Sequence, residues 1–153
     1  MLDDNYFMGL ALAEARAAAD EGEIPVGAVV VSAGRVIGRG HNQTERLNDV
    51  TAHAEMLAIT AAARSLGGKY LPGATLYVTV EPCPMCAGAI GWSQLGRIVI
   101  GAPDTKRGYT TLLRPGATPF HPRAQVVTGV RQDECVALMQ SFFRSKRKCT
   151  TFS

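Results

Sequence analysis

The chain has 153 residues, 46% of them hydrophobic and 19% charged, and a formal net charge of +3 at pH 7. That length and balance suit one soluble globular domain over 1–153 and require no second one, while the charge is too modest to establish nucleic-acid binding by itself. No apolar run approaches a membrane span and the acidic start Met1-Leu2-Asp3-Asp4-Asn5 is unlike an export signal, so the expectation is a cytoplasmic protein.

Tyr6, Leu10, Ala13 and Ala17 recur at helical spacing, and the alanine-rich stretch to Asp20 predicts an amphipathic helix that ends near Gly22. Pro25 to Val31 is a valine-rich apolar run, Ser32-Ala33-Gly34 a turn, and Arg35 to Arg39 the second strand of a hairpin. A second helix begins near His53, with Leu57, Ala58 and Ala61 on one face and Gly67-Gly68 beyond its end. Ala74 to Val80 reads as a strand, Cys83 to about Trp92 as a short helix whose Trp92 serves more often as core than as interface, and Arg97 to Gly101 as a strand. Their short joints imply a right-handed parallel crossover. Between Ala102 and Ala124 a connection rich in proline is either a substrate-facing rim or a plain surface crossing. Gln125 to Val130 is a fifth strand. Asp133 to about Arg147 is a last helix with Val136, Met139 and Phe143 on one stripe, and 146–153 reads as a frayed tail. The sum is α/β, a mixed sheet with helices on both faces.

Two short motifs carry the chemistry: His53-Ala54-Glu55 and Pro82-Cys83-Pro84-Met85-Cys86. One imidazole and two thiolates suit Zn²⁺, and a set of three protein ligands leaves the fourth tetrahedral position open, as in catalytic rather than structural zinc. A C-x-x-C pair after a proline, without an export signal, favours reduced metal-binding thiols over a disulfide framework. Pro84 suits the first helical position, which makes Cys83 the N-cap and puts Cys86 in the first turn, where the helix terminus favours thiolates. Residues two apart inside a helix point to nearly opposite sides, so His53 and Glu55 belong at a helix start. Cys135 lies on an apolar helical face as a small core residue and Cys149 in the tail. The competing metal reading is a closed knot with Cys135 or His121 as fourth ligand, which gives Glu55 no role.

The H-x-E…P-C-x-x-C pattern is the signature of zinc-dependent nucleobase deaminases. Glu23-Ile24-Pro25-Val26-Gly27-Ala28-Val29, Gly40-His41-Asn42, Thr51-Ala52-His53-Ala54-Glu55, the segment Thr75 to Cys83 and Met85-Cys86-Ala87-Gly88-Ala89-Ile90 resemble the bacterial tRNA adenosine deaminases of the cytidine/deoxycytidylate deaminase superfamily. The resemblance implies a cytidine-deaminase-like three-layer α/β/α sandwich with a five-stranded mixed sheet, and one Zn²⁺ per subunit on His53, Cys83 and Cys86. It also implies a zinc-activated water, Glu55 as proton shuttle, a homodimer using the short helix after the cysteines, and a tRNA anticodon loop as partner, its wobble adenosine becoming inosine. Asn42 matches the asparagine that hydrogen-bonds the nucleobase or its ribose, with a turn asparagine as the plain alternative. Ile24, Val26, Ala54 and Pro82 match the walls of the base pocket, although core packing serves Ile24 and Val26 equally well.

Gly101 to Gly108 keeps the Gly-Ala-x-Asp-x-Lys-x-Gly pattern in which Asp104 and Lys106 lie near the RNA backbone. The match then fails at Tyr109-Thr110-Thr111, where Tyr109 either stacks on a splayed-out base or covers the core. His41 and His121 read as ordinary surface histidines. Arg144, Lys146, Arg147 and Lys148 form a basic end that is either a solvated helix face or an RNA contact. A free-base deaminase acting on guanine or cytosine shares the metal motifs, and a noncatalytic zinc-bearing interaction module is the third class.

Overall fold

The structure, a computed structural model, describes residues 2–150, with side chains for 2–147. Helix α1 (Asp4–Asp20) starts where Asp3 Oδ1 accepts the Tyr6 backbone N–H at 2.9 Å, satisfying an amide that a helix start leaves unpaired. Its buried residues Phe7, Met8, Ala11, Leu12, Ala15 and Ala18 fall on one face. Strands β1 (Gly27–Ser32) and β2 (Arg35–His41) join through Ala33 and Gly34, with φ of 51° and 75°. Two positive φ values make the tight turn whose twist matches paired strands.

After α2 (Ala54–Leu66) come β3 (Ala74–Val80), α3 (Pro84–Trp92), β4 (Arg97–Ala102), β5 (Gln125–Thr128) and α4 (Gln132–Thr150). The sheet runs β2-β1-β3-β4-β5, antiparallel across β2/β1 and β1/β3 and parallel across β3/β4 and β4/β5. Strand alternation sorts side chains into two cores. Val29, Val31, Tyr77 and Val99 pack with Phe7, Met8 and Leu12 of α1 and Cys135 of α4. Ala28, Val30, Leu76, Val78, Ile98 and Ile100 pack with Ala54, Ala58 and Ala62 of α2 and Ala87 and Ile90 of α3. The result is the expected three-layer sandwich with a five-stranded mixed sheet.

Two close approaches set the height of α2 over the sheet. A Cβ on Gly40 would stand 2.7 Å from the Ala54 carbonyl oxygen, and one on Gly38 would stand 2.6 Å from the Ala62 amide nitrogen. Glycine in the strand and alanine on the helix let the two backbones touch. At the end of the sheet where β3 and β4 begin, Arg97 holds Asp4 by two hydrogen bonds of 2.7 Å, and the Tyr77 hydroxyl donates to the same carboxylate at 2.7 Å.

Several expectations need correction. β2 continues past Arg39 to His41, because Gly40 and His41 pair with Ala28 and Gly27. β5 stops at Thr128 rather than Val130. α4 is helical to Thr150, past the expected end near Arg147; residues 151–153 and the side chain of Cys149 lie outside the described residues. Phe143 is 41% exposed while Phe142 is half-buried, and Trp92, expected in the core, is 84% exposed. The Ala102–Ala124 connection is more than a plain surface crossing: Tyr109 and Phe120 are buried in the α2/α3 core with ring centroids 5.0 Å apart. Among the described residues, no helix is long and apolar enough to cross a membrane.

Candidate metal centre

His53 and Cys83 are the N-caps of α2 and α3, both in extended backbone, and neither side chain caps its own helix. Pro84 occupies the start of α3 and Cys86 lies in its first turn, buried. The two helix starts therefore aim one ring and two sulfurs at a common point just past the carboxyl end of β3. His53 Nδ1 is 3.6 Å from Cys83 Sγ and 3.5 Å from Cys86 Sγ. With Zn–N of about 2.0–2.1 Å and Zn–S of about 2.3 Å, a tetrahedral ion separates nitrogen from sulfur by about 3.6 Å. The donor set fits zinc in both chemistry and spacing, and it is the one such cluster among the described residues.

The closed-knot alternative loses its candidate ligands. Cys135 is buried in the α1/α4 core, on the opposite face of the sheet, and His121 sits on an exposed loop with Nδ1 accepting the Arg123 N–H at 3.0 Å.

Charge in the cluster is distributed unevenly. A hydrogen bond from the Cys86 thiol holds Cys83 as a thiolate with a pKa near 4, against the effect of burial and helped by His53 and the Cys86 amide. Donating that bond, together with burial and the nearby Glu55, pushes the Cys86 thiol up. The Cys83 sulfur in turn raises the His53 pKa. Glu55 is 3% exposed, and burial raises its carboxyl to about 7, partly offset by its own backbone N–H and by His53. A buried acid beside the three candidate ligands is suited to moving protons.

Of the other candidate site residues, Asn42 follows β2 and is 7% exposed. Its backbone N–H donates to the Val26 carbonyl at 3.1 Å, and its Oδ1 accepts the Thr44 N–H at 3.4 Å. Ala54 and Pro82 are buried, Val26 is half-buried and Ile24 is 41% exposed. Asp104 is turned inward on its own loop, Oδ1 accepting the Lys106 and Arg107 amides at 3.1 and 2.9 Å, while the Lys106 side chain is exposed. Tyr109 requires correction as a stacking residue: only 9% exposed, its ring packs edge-on to Phe120 and covers the core.

Three functional supports were missed. Glu23 is 1% exposed and accepts the Glu45 and Arg46 amides at 3.1 and 2.8 Å, holding the loop that leads to His53. Glu81 holds the loop of Asp104 from the other side, accepting amide and hydroxyl donors at 104 and 110. His41 is no ordinary surface histidine: Nδ1 meets Glu14 at 2.9 Å and Nε2 meets Glu21 at 3.1 Å. No local pattern signals Glu23 or Glu81, whose partners lie 22 to 29 residues away in sequence.

Residues 1–102 match the family described as the cytidine and deoxycytidylate deaminase zinc-binding region. The tRNA-specific adenosine deaminase of Agrobacterium fabrum is 45% identical over 152 residues, covering 96% of this chain and 98% of that one. A solved structure from studies of A-to-I editing by tRNA:A34 deaminases at the wobble position of transfer RNA is 45% identical, covers 87% of this chain and 98% of that one, and has a TM-score of 0.79. The guanine deaminase of Nitrosomonas europaea is 26% identical, covers 93% of this chain and 85% of that one, and has a TM-score of 0.78.

Proposed function

The chain belongs to the zinc-binding cytidine and deoxycytidylate deaminase family, and from that premise we propose that it hydrolyses the wobble adenosine of a tRNA anticodon loop to inosine. The observation that carries the substrate choice is identity over nearly the whole chain: 45% with a tRNA-specific adenosine deaminase over 96% of this chain, against 26% with one guanine deaminase over 93% of it and 39% with another over only 68% of it. The TM-scores of 0.79 and 0.78 to near full-length solved structures of the two kinds are almost equal. Backbone shape does not separate the two substrates, so the distinction rests on side chains.

Zinc, when bound by His53, Cys83 and Cys86, supplies the Lewis acidity that brings a water toward ionisation at neutral pH. Glu55 handles the protons. Its carboxylate takes one from the attacking water and delivers it to the purine N1 as oxygen bonds to C6. It then passes the second to the exocyclic nitrogen, which departs as ammonia and leaves a C6 carbonyl. Asn42 offers both a donor and an acceptor to the base or its ribose. Ala54, Pro82, Ile24 and Val26 wall the ring, and a loop base already unstacked requires no duplex opening. Lys106, whose side chain is exposed, serves in this reading as a partner for backbone phosphate.

We assign the protein to the cytoplasm, with its substrate, and to a homodimer built on α3, where the exposed Trp92 and Met85 leave apolar surface uncovered. Light scattering of the purified chain tests the dimer, a monomer mass refuting it.

The function is tested by giving zinc-loaded protein an anticodon stem-loop with adenosine at the wobble position, and separately guanine and cytosine. Inosine from the RNA is expected; turnover of guanine with none of the RNA overturns the assignment. Glu55→Gln should retain one zinc per chain yet lose on the order of a thousandfold in kcat. Loss of the metal instead would mean that Glu55 is structural.

A further inference from the structure

We propose that Glu81 is the positioning residue that fastens the cationic substrate loop, 103–110, to the segment carrying the zinc ligand Cys83. This assignment rests on the RNA substrate proposed above. Glu81 is the first residue after β3, and its own amide donates to the Ala102 carbonyl at 2.8 Å. Its Oε1 accepts the Asp104 N–H at 3.3 Å, and its Oε2 accepts the Thr110 N–H at 3.1 Å and the Thr110 hydroxyl at 2.7 Å. The next residue continues the seam, the Pro82 carbonyl accepting the Tyr109 N–H at 2.9 Å. The backbone of Gly108 lies against the same carboxylate, and a Cβ there would run into it.

Between these anchors, Pro103, Thr105, Lys106 and Arg107 are exposed and have no core to hold them. Asp104 rigidifies the tip by accepting the Lys106 and Arg107 amides, but it fastens the tip to nothing beyond the loop. Glu81 makes that connection. Being one residue from Pro82 and two from Cys83, Glu81 sets two cationic side chains at a fixed reach from the metal centre. Every group around the carboxylate is a donor, so a glutamine must turn its NH₂ toward another donor and lose one side of the seam. The carboxylate is thus required for the three donors that its two oxygens accept rather than for its size.

Glu81→Gln, Thr110→Val and Lys106→Ala are compared with wild type, singly and with Lys106→Ala added to Glu81→Gln. Zinc content, melting temperature, trypsin cleavage after Lys106 and Arg107 without RNA, and KM and kcat on the anticodon stem-loop are measured. Glu81→Gln should keep its zinc, cleave faster, and raise KM by about tenfold with kcat changed by less than about threefold, the scale of one lost charge-assisted hydrogen bond. Thr110→Val should shift both readouts the same way by less. Lys106→Ala should cost less in the Glu81→Gln background than alone, since a loop already loose no longer presents the lysine. Unchanged cleavage in Glu81→Gln, or strictly additive KM effects, overturns the proposal. A wild-type protein that deaminates no RNA refutes the substrate assignment instead, and the cleavage comparison then decides the fastening role by itself.

Discussion

The metal centre and its rims are held by different devices. At the centre, local backbone does the positioning: two helix N-caps and one first-turn cysteine converge to 3.5–3.6 Å because α2 and α3 begin where they do. At the rims, single carboxylates reach across the fold and accept backbone amides, Glu23 at Glu45 and Arg46 on one side and Glu81 at Asp104 and Thr110 on the other. The centre is thereby as rigid as the sandwich, while each rim depends on a few hydrogen bonds. Chemistry that tolerates little displacement sits on the first device, and the proposed contact with a large substrate sits on the second.

Breaking the mount of the centre without touching a ligand should have the largest effect. Gly40→Ala drives a methyl into the Ala54 carbonyl and must lift the start of α2. We expect a loss of about 1–3 kcal/mol by denaturant titration. We also expect kcat to fall by about a hundredfold, as displacement of a reacting group by roughly 1 Å does. Full activity would show that the contact is soft. Loosening a rim should cost stability and KM but not metal. Glu23→Gln replaces a 1% exposed acceptor of two amides and should destabilise by about 1.5–3 kcal/mol with zinc content unchanged. Equal loss of zinc would erase the distinction between the two regions.

The smallest effect is pH-dependent. Burial opposes a charge on His41, but the hydrogen bonds and charges of Glu14 and Glu21 outweigh it and hold its pKa above the ordinary value, with Arg39 and Arg46 paired to the same two acids and Gln43 at 3.3 Å. A raised folded pKa stabilises fully below the unfolded value of about 6.5, and the advantage fades as pH climbs through the folded one. His41→Gln should therefore lower the melting point most below that pH and progressively less in alkaline buffer, by an amount worth about 1 kcal/mol or less for groups this accessible. A difference that grows with pH would mean the ring is neutral there.

The same contrast explains what could be read from the chain. Strands, crossover and ligand set are encoded over short spans: valine runs, the Pro84 start signal, and cysteines spaced to share a helix turn. The placement of Glu55 follows from its neighbour His53. Glu81 and Glu23 meet partners 22 to 29 residues away, so no local pattern announces them. Tyr109 was ambiguous because an aromatic side chain in a proline-rich loop reads alike whether it awaits a base or seals a core; burial against Phe120 decided it. Trp92 misled because an apolar residue at the end of a short helix usually packs inward, and here it faces out.

The β1–β2 hairpin tip also has a practical value. Ala33 and Gly34 are exposed, open space surrounds Gly34, and strand pairing sets Ser32 opposite Ala74, the start of β3, whereas the metal cluster lies beyond that strand's other end. A peptide tag or fluorophore spliced into this turn would hang from the pole remote from catalysis, which makes it the natural handle for tethering the enzyme to a surface with its mouth turned toward incoming RNA.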